Sequence, residues 1–208
     1  EGTLLLNDVI LRRHVSIQGG AIYLEDGGRA SMTATNSTTF LNNQARTELW
    51  DGIASGGAIY VGRGNIIVIR DVLFLNNQAL ADRASSFGGA LDVWGSASIV
   101  NSRFINNVAL GPDDIGYSPT KSVGAGWGDD LPNTGSVVST PTGSGNGGGV
   151  VVRSGSEGSV SLLRCEMSSN RASTSGGALY NDGGVLVVRD CYGSNNTAPF
   201  GASARMAM

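Results

Sequence analysis

Apolar residues in this chain fall in short runs separated by Gly, Asn and Ser, and the runs return in a fixed order. One run is β-branched: Ile66-Ile67-Val68-Ile69, Ile99-Val100, Val160-Ser161-Leu162-Leu163 and Val185-Leu186-Val187-Val188. A second is Phe-x-x-Asn, at Phe40/Asn43, Phe74/Asn77 and Phe104/Asn107, with Met167 and then Gly193 in the Phe slot ahead of Asn170 and Asn196. The third is Gly-Gly-Ala followed by an aliphatic residue. It is read at Gly19-Gly20-Ala21-Ile22, Gly56-Gly57-Ala58-Ile59, Gly88-Gly89-Ala90-Leu91, Gly148-Gly149-Val150-Val151 and Gly176-Gly177-Ala178-Leu179. Alternation within these runs and turn residues at nearly every junction predict short strands, and no 3.6-residue period supports a helix.

The repeated asparagines lie 34, 30, 63 and 26 residues apart. Three strands in each coil of that length predict a stacked solenoid, in which every strand pairs with its copy one coil on. A propeller blade would need about 40–45 residues and four strands. The expectation is therefore an all-β fold: a single-stranded parallel β-helix of about five coils, with three strands per coil. Its irregular first coil puts Ile10 in the Phe slot and Arg13 in the Asn slot. Asn43, Asn77, Asn107, Asn170 and Asn196 are expected to form a buried ladder, each amide bonded to the next, because an unstacked buried amide would cost about 1–3 kcal/mol. Phe40, Phe74 and Phe104 are expected to stack beside it.

Gly-Gly-Ala-(Ile/Leu) alternating with Phe-x-x-Asn resembles the repeat of the chlamydial polymorphic membrane proteins and related surface-protein repeats of bacteria and protists. The likeness covers nearly the whole chain outside 110–147. It implies a right-handed β-helix used as a surface structure or for adhesion. Short repeat motifs speak to fold, not to partner.

All interruptions of the repeat fall between the Ala that follows the Asn slot and the next Gly pair, so the inserts project from one edge of the solenoid. The chain is read as one domain over 1–208, expected to be part of a longer chain, with 110–147 as a long loop holding nine Gly and four of the five Pro. Trp50, Phe87, Tyr117 and Trp127 sit in these inserts and are the candidate partner-binding or glycan-binding edge. The plainer reading is that they pin the loops to the coils.

The remaining chemistry is sparse. A net charge of −3 argues against nucleic acid, and no apolar run is long enough to span a bilayer. His14 is the only histidine, which removes His-based triads and multi-histidine zinc sites. The outward slot of the Gly-Gly-Ala strand reads Tyr23, Tyr60, Asp92, Val152 and Tyr180, one carboxylate where glycoside hydrolysis needs two. Asp113-Asp114 and Asp129-Asp130 are a weak candidate for Ca²⁺, without calcium-loop spacing; no other cofactor is expected. Cys165 and Cys191 occupy the same slot in successive coils and are a candidate disulfide. Asn36 and Asn195 head candidate N-glycosylation triplets. The expectation is a non-catalytic, extracellular or cell-surface structural segment that assembles with other chains. An adhesin or glycan-binding module is the alternative, and a polysaccharide lyase or hydrolase ranks third.

Overall fold

The computed structural model describes residues 2–49, 52–112, 143–153 and 159–207. The described residues contain no helix, and their strands form five parallel sheets. One sheet stacks the β-branched runs: Gly2–Asn7, Ala30–Thr35, Ile66–Arg70, Ser96–Val100, Ser159–Leu163 and Val185–Arg189. The next stacks the Phe strands from Ile10–Arg12 to Tyr192–Ser194, and the last stacks the Gly-Gly-Ala strands from Ile22–Leu24 to Ala204–Ala207. The chain is a parallel β-helix.

It has more sheets than the three expected. The residues after each Asn pair as a further sheet, Val15–Ser16, Gln44–Thr47, Gln78–Ala81, Val108–Leu110 and Arg171–Ala172. At the insertion edge a short sheet joins Ala54–Ser55, Ser86–Phe87 and Gly145–Asn146. The first begins only two residues after each Phe strand and the second has two-residue strands, yet backbone donors lying against the next coil must still be paired.

Register corrects two expected alignments. Leu11, not Ile10, lies opposite Phe40. Arg13 shares the left-handed backbone of Asn42 (φ 59° and 55°), so His14 takes the Asn slot. In the fourth Gly copy Val150 lies opposite Leu91 and Leu179. The corner glycine there is Gly147, with φ 64° like Gly88 and Gly176, and Gly149 holds the Ala slot. Three consecutive glycines hid this one-residue shift. It turns Val151 outward and Val152 inward. The corner needs both of its glycines: Gly56 is left-handed (φ 62°), and a Cβ on Gly57 would collide with the Gly89 carbonyl oxygen.

The β-branched strands bury alternate residues: Met32 and Ala34, Ile67 and Ile69, Ala97 and Ile99, Val160 and Leu162. Opposite them, the fully buried rings of Phe40, Phe74 and Phe104 stack with centroids 4.9 and 4.7 Å apart and planes within 5°. Met167 and Gly193 continue this slot.

Beside the rings runs the asparagine column. Asn43 Nδ2 donates to Asn77 Oδ1, Asn77 to Asn107, Asn107 to Asn170 and Asn170 to Asn196, each at 3.0 Å. Each of these oxygens also accepts the backbone N–H of the preceding coil's Asn, at 2.9–3.0 Å. The second Nδ2 hydrogen of Asn77, Asn107 and Asn170 goes to the carbonyl of Phe40, Phe74 and Phe104. Four bonds thus fill the valences of each interior amide. The column opens at His14, whose N–H donates to Asn43 Oδ1 at 3.1 Å.

The doubled asparagine has a separate cause at each position. Asn42, Asn76, Asn106 and Asn195 precede the column residue and take the left-handed region (φ 51–55°), which Asn tolerates better than other non-Gly residues. Replacing Asn77 by Ala strands the Asn43 amide donors and the Phe40 carbonyl, so it is expected to cost at least about 3 kcal/mol in urea unfolding. Asn76→Ala, which loses only a conformational preference, is expected to cost about 1 kcal/mol.

Candidate functional site

In the middle coils the Gly-Gly-Ala strands Ile59–Val61, Leu91–Val93 and Val150–Arg153 are buried on both faces. The inner face is the core. On the outer face stand Tyr23, Tyr60, Asp92, Val151 and Tyr180, one per coil, with Trp94, Arg153 and Asp182 in the slot two residues on. Strand alternation sends both slots outward.

Arg153 organises this face. Its Nε meets Asp92 Oδ1 and its Nη2 meets Asp92 Oδ2, both at 3.1 Å, in a forked pair. The guanidinium lies 3.4 Å from the centroid of the Phe87 ring and 5.2 Å from that of Trp94, and Nη1 comes within 3.9 Å of Asp182. Arg63 sits over Trp94 at 4.7 Å. The side chains of Arg153 and Asp92 are 7% and 0% exposed, so the pair is sealed from solvent. A charge in such a place persists only when paired, and removing one partner costs about 3–5 kcal/mol.

Tyr60 stacks on Tyr23 (centroids 5.1 Å apart, planes 16° apart) and donates its hydroxyl to Asp26 Oδ1 at 3.3 Å. Burial pushes the Tyr60 phenol above its ordinary range, and the nearby Asp26 and Asp92 carboxylates push the same way. The same Asp26 oxygen accepts the Arg63 backbone N–H at 2.8 Å, so this turn is tied to the ring stack. Chemically the face is a closed clamp. Each oxygen of its buried carboxylate accepts one hydrogen bond from Arg153. Among the described residues no group of three His, Cys, Asp or Glu side chains is arranged to hold a metal.

Of the expected edge residues, Phe87 lies under Arg153, half-buried in the short edge sheet. Trp50, Tyr117 and Trp127, and the acidic pairs Asp113-Asp114 and Asp129-Asp130, lie outside the described residues. Asn36 is exposed and left-handed, and its amide donates to Asn7 Oδ1 at 2.7 Å. Asn195 is exposed beside the buried Asn196. Sequence reasoning missed Arg153 and Trp94. The frame shift at Gly147 hid the first, since only the corrected register puts Arg153 two residues past an outward Val151.

Cys165 and Cys191 belong to a second polar column, at the turn between the β-branched and Phe sheets. Thr38, Ser102 and Cys191 each accept a backbone N–H from the coil before, from Val9, Val72 and Cys165, at 3.3–3.4 Å. The Ser102 backbone bonds the Cys165 sulfur in the same way. Both cysteines are present as thiols. Burial pushes the Cys165 thiol from 9.0 up to about 11.

Two expected outcomes follow from these groups. Arg153→Ala should destabilise by about 3–5 kcal/mol in urea unfolding, while the apolar pair Arg153→Met with Asp92→Leu should restore most of the loss. Tyr60 and Cys165 both have raised folded-state pKa values, so the folded chain holds these protons more tightly than the unfolded one. Their stabilisation is complete below the unfolded values, near 9 for Cys and 10 for Tyr, and declines as pH rises beyond them. A midpoint-versus-pH series from 7 to 11 should fall above about pH 9, and Cys165→Ser with Tyr60→Phe should flatten it.

Comparison with curated proteins and with solved structures gave no match to the chain. The family profile of the Chlamydia polymorphic membrane protein repeat matches residues 37–62. That stretch runs from the turn before Phe40, through Asn43 and the Gly56-Gly57 corner, to the end of the strand Ile59–Val61. It contains one Phe-x-x-Asn copy and one Gly-Gly-Ala copy, so over these residues the chain is similar to the polymorphic membrane protein repeat.

Proposed function

We propose that the chain is a non-catalytic, cell-surface structural segment, a length of β-helix that stacks onto further parallel coils of a surface or fibrous assembly. The carrying observation is that all five sheets stack coil on coil in parallel, held by a continuous asparagine column. Past Asn196 the pattern continues: Gly201 takes the left-handed corner (φ 62°), and Ala204–Ala207 adds a strand to the Gly-Gly-Ala sheet. In a stack of this kind each coil contacts only its neighbours, which suits an extended surface structure.

The repeat match to a membrane-protein family supports the surface location. The non-catalytic reading is supported by the Arg153 fork, which engages the buried Asp92 and also approaches Asp182, the second carboxylate on this face. An antibody raised against this chain is expected to label intact cells, and external protease is expected to abolish the signal. Labelling that requires permeabilisation would overturn the surface reading. Incubation with acidic and neutral glycans, with and without Ca²⁺, is expected to release no product.

A further inference from the structure

Among the slots that recur in each coil, the one at the turn between the β-branched and Phe sheets ends differently from how it begins. Thr38, Val72 and Ser102 give way to Cys165 and Cys191. Both sulfurs sit in the polar column, 26 residues apart in sequence but one coil apart in space, with the Cys165 N–H on Cys191 Sγ at 3.3 Å. The flanking strands are in strict parallel register, Leu163 opposite Arg189 on one side and Glu166 opposite Tyr192 on the other. Cys165 is buried and Cys191 is partly exposed.

The coil that carries Cys191 is less buried than the coil before it. Val188 is exposed where Leu162 is buried, Leu186 is half-buried where Val160 is buried, and Tyr192 is exposed as well. Local opening concentrates where apolar burial is smallest. A covalent tie between Cys165 and Cys191 would fasten this coil to its fully packed neighbour. It would also leave the column in place, because a disulfide sulfur keeps lone pairs for the incoming N–H donors. What is lost is weak: the S–H bonds of Cys165 to Leu163 O at 3.4 Å and of Cys191 to Arg189 O at 3.2 Å.

We propose that Cys165 and Cys191 form an intrachain disulfide that fastens the coil carrying Cys191 to the coil before it once the protein meets a disulfide oxidant. The accessible Cys191 thiolate attacks one sulfur of the oxidant's disulfide and expels a thiolate, giving a mixed disulfide. The Cys165 thiolate then attacks the Cys191 sulfur, and the second oxidant thiolate leaves. Two protein thiols lose two electrons to the oxidant, which becomes two thiols, and the two protons pass through solvent to those leaving groups. The chemistry does not depend on where the protein resides, so it stands or fails apart from the surface reading.

The test incubates the folded chain with glutathione disulfide at neutral pH, quenches with acid, alkylates under denaturing conditions and measures intact mass. Wild type is expected to lose two hydrogens, resist alkylation and yield a linked 165–191 peptide that reductant releases. Cys165→Ser, which places in this slot the residue that Ser102 already provides one coil earlier, should stop at the glutathione adduct on Cys191. Hydrogen exchange of Val185–Arg189 and Tyr192–Ser194 should slow by at least roughly tenfold on oxidation. Two alkylatable thiols, a persistent adduct on wild type, or cross-linked dimers would overturn the proposal. So would an internal disulfide that leaves exchange in the last coil unchanged.

Discussion

A solenoid must bury polar backbone at the same turn in every coil, and here that requirement is met by one amide per coil. A single asparagine in this position would be a liability, because half of its hydrogen-bonding capacity points along the solenoid axis. Placed in a column, each amide accepts two bonds from the coil before and gives one forward, so satisfaction depends on the neighbours being identical. This explains why the Asn slot is held from Asn43 to Asn196 while the Phe slot drifts to Met167 and Gly193. Apolar packing tolerates changes of shape more readily than a hydrogen-bonded chain tolerates a missing member.

A second consequence is that the molecule divides into a strict interior and a permissive exterior. The β-branched sheet turns small hydroxyls and aliphatics outward, and its outer face is solvated. By contrast, the outer face of the Gly-Gly-Ala sheet is closed by the Arg153 fork and the rings of Phe87 and Trp94. Closing it ties the short edge sheet, from which the inserts leave, to the body of the solenoid. The clamp therefore has a structural use that accounts for a buried ion pair outside the core.

Positions that recur once per coil are legible from spacing alone, since each copy votes on the frame. The fold class was readable for that reason, and so were the motif families. Where copies are few or degenerate the frame slips. Gly147-Gly148-Gly149 offers two choices of corner, and only the left-handed backbone at Gly147 settles it. Leu11 and His14 were displaced by one because the first coil has no Asn to anchor it. The two short sheets escaped notice because one follows its Phe strand after only two residues and the other has two-residue strands. Arg153, Trp94 and Phe87 were out of reach altogether as a group: they occur once each, and nothing periodic connects residue 87 to residue 153.

The account rests on the interior asparagine side chains being hydrogen-bonded in a closed column while their left-handed neighbours face solvent. Side-chain amide exchange, followed by NMR on the native protein, separates the two directly. The Nδ2 protons of Asn77, Asn107 and Asn170 are expected to exchange only with opening of the coils, and those of Asn76 and Asn106 at rates close to a free amide. Equal and rapid exchange at both sets of positions would contradict the column and, with it, the reason given for the repeat.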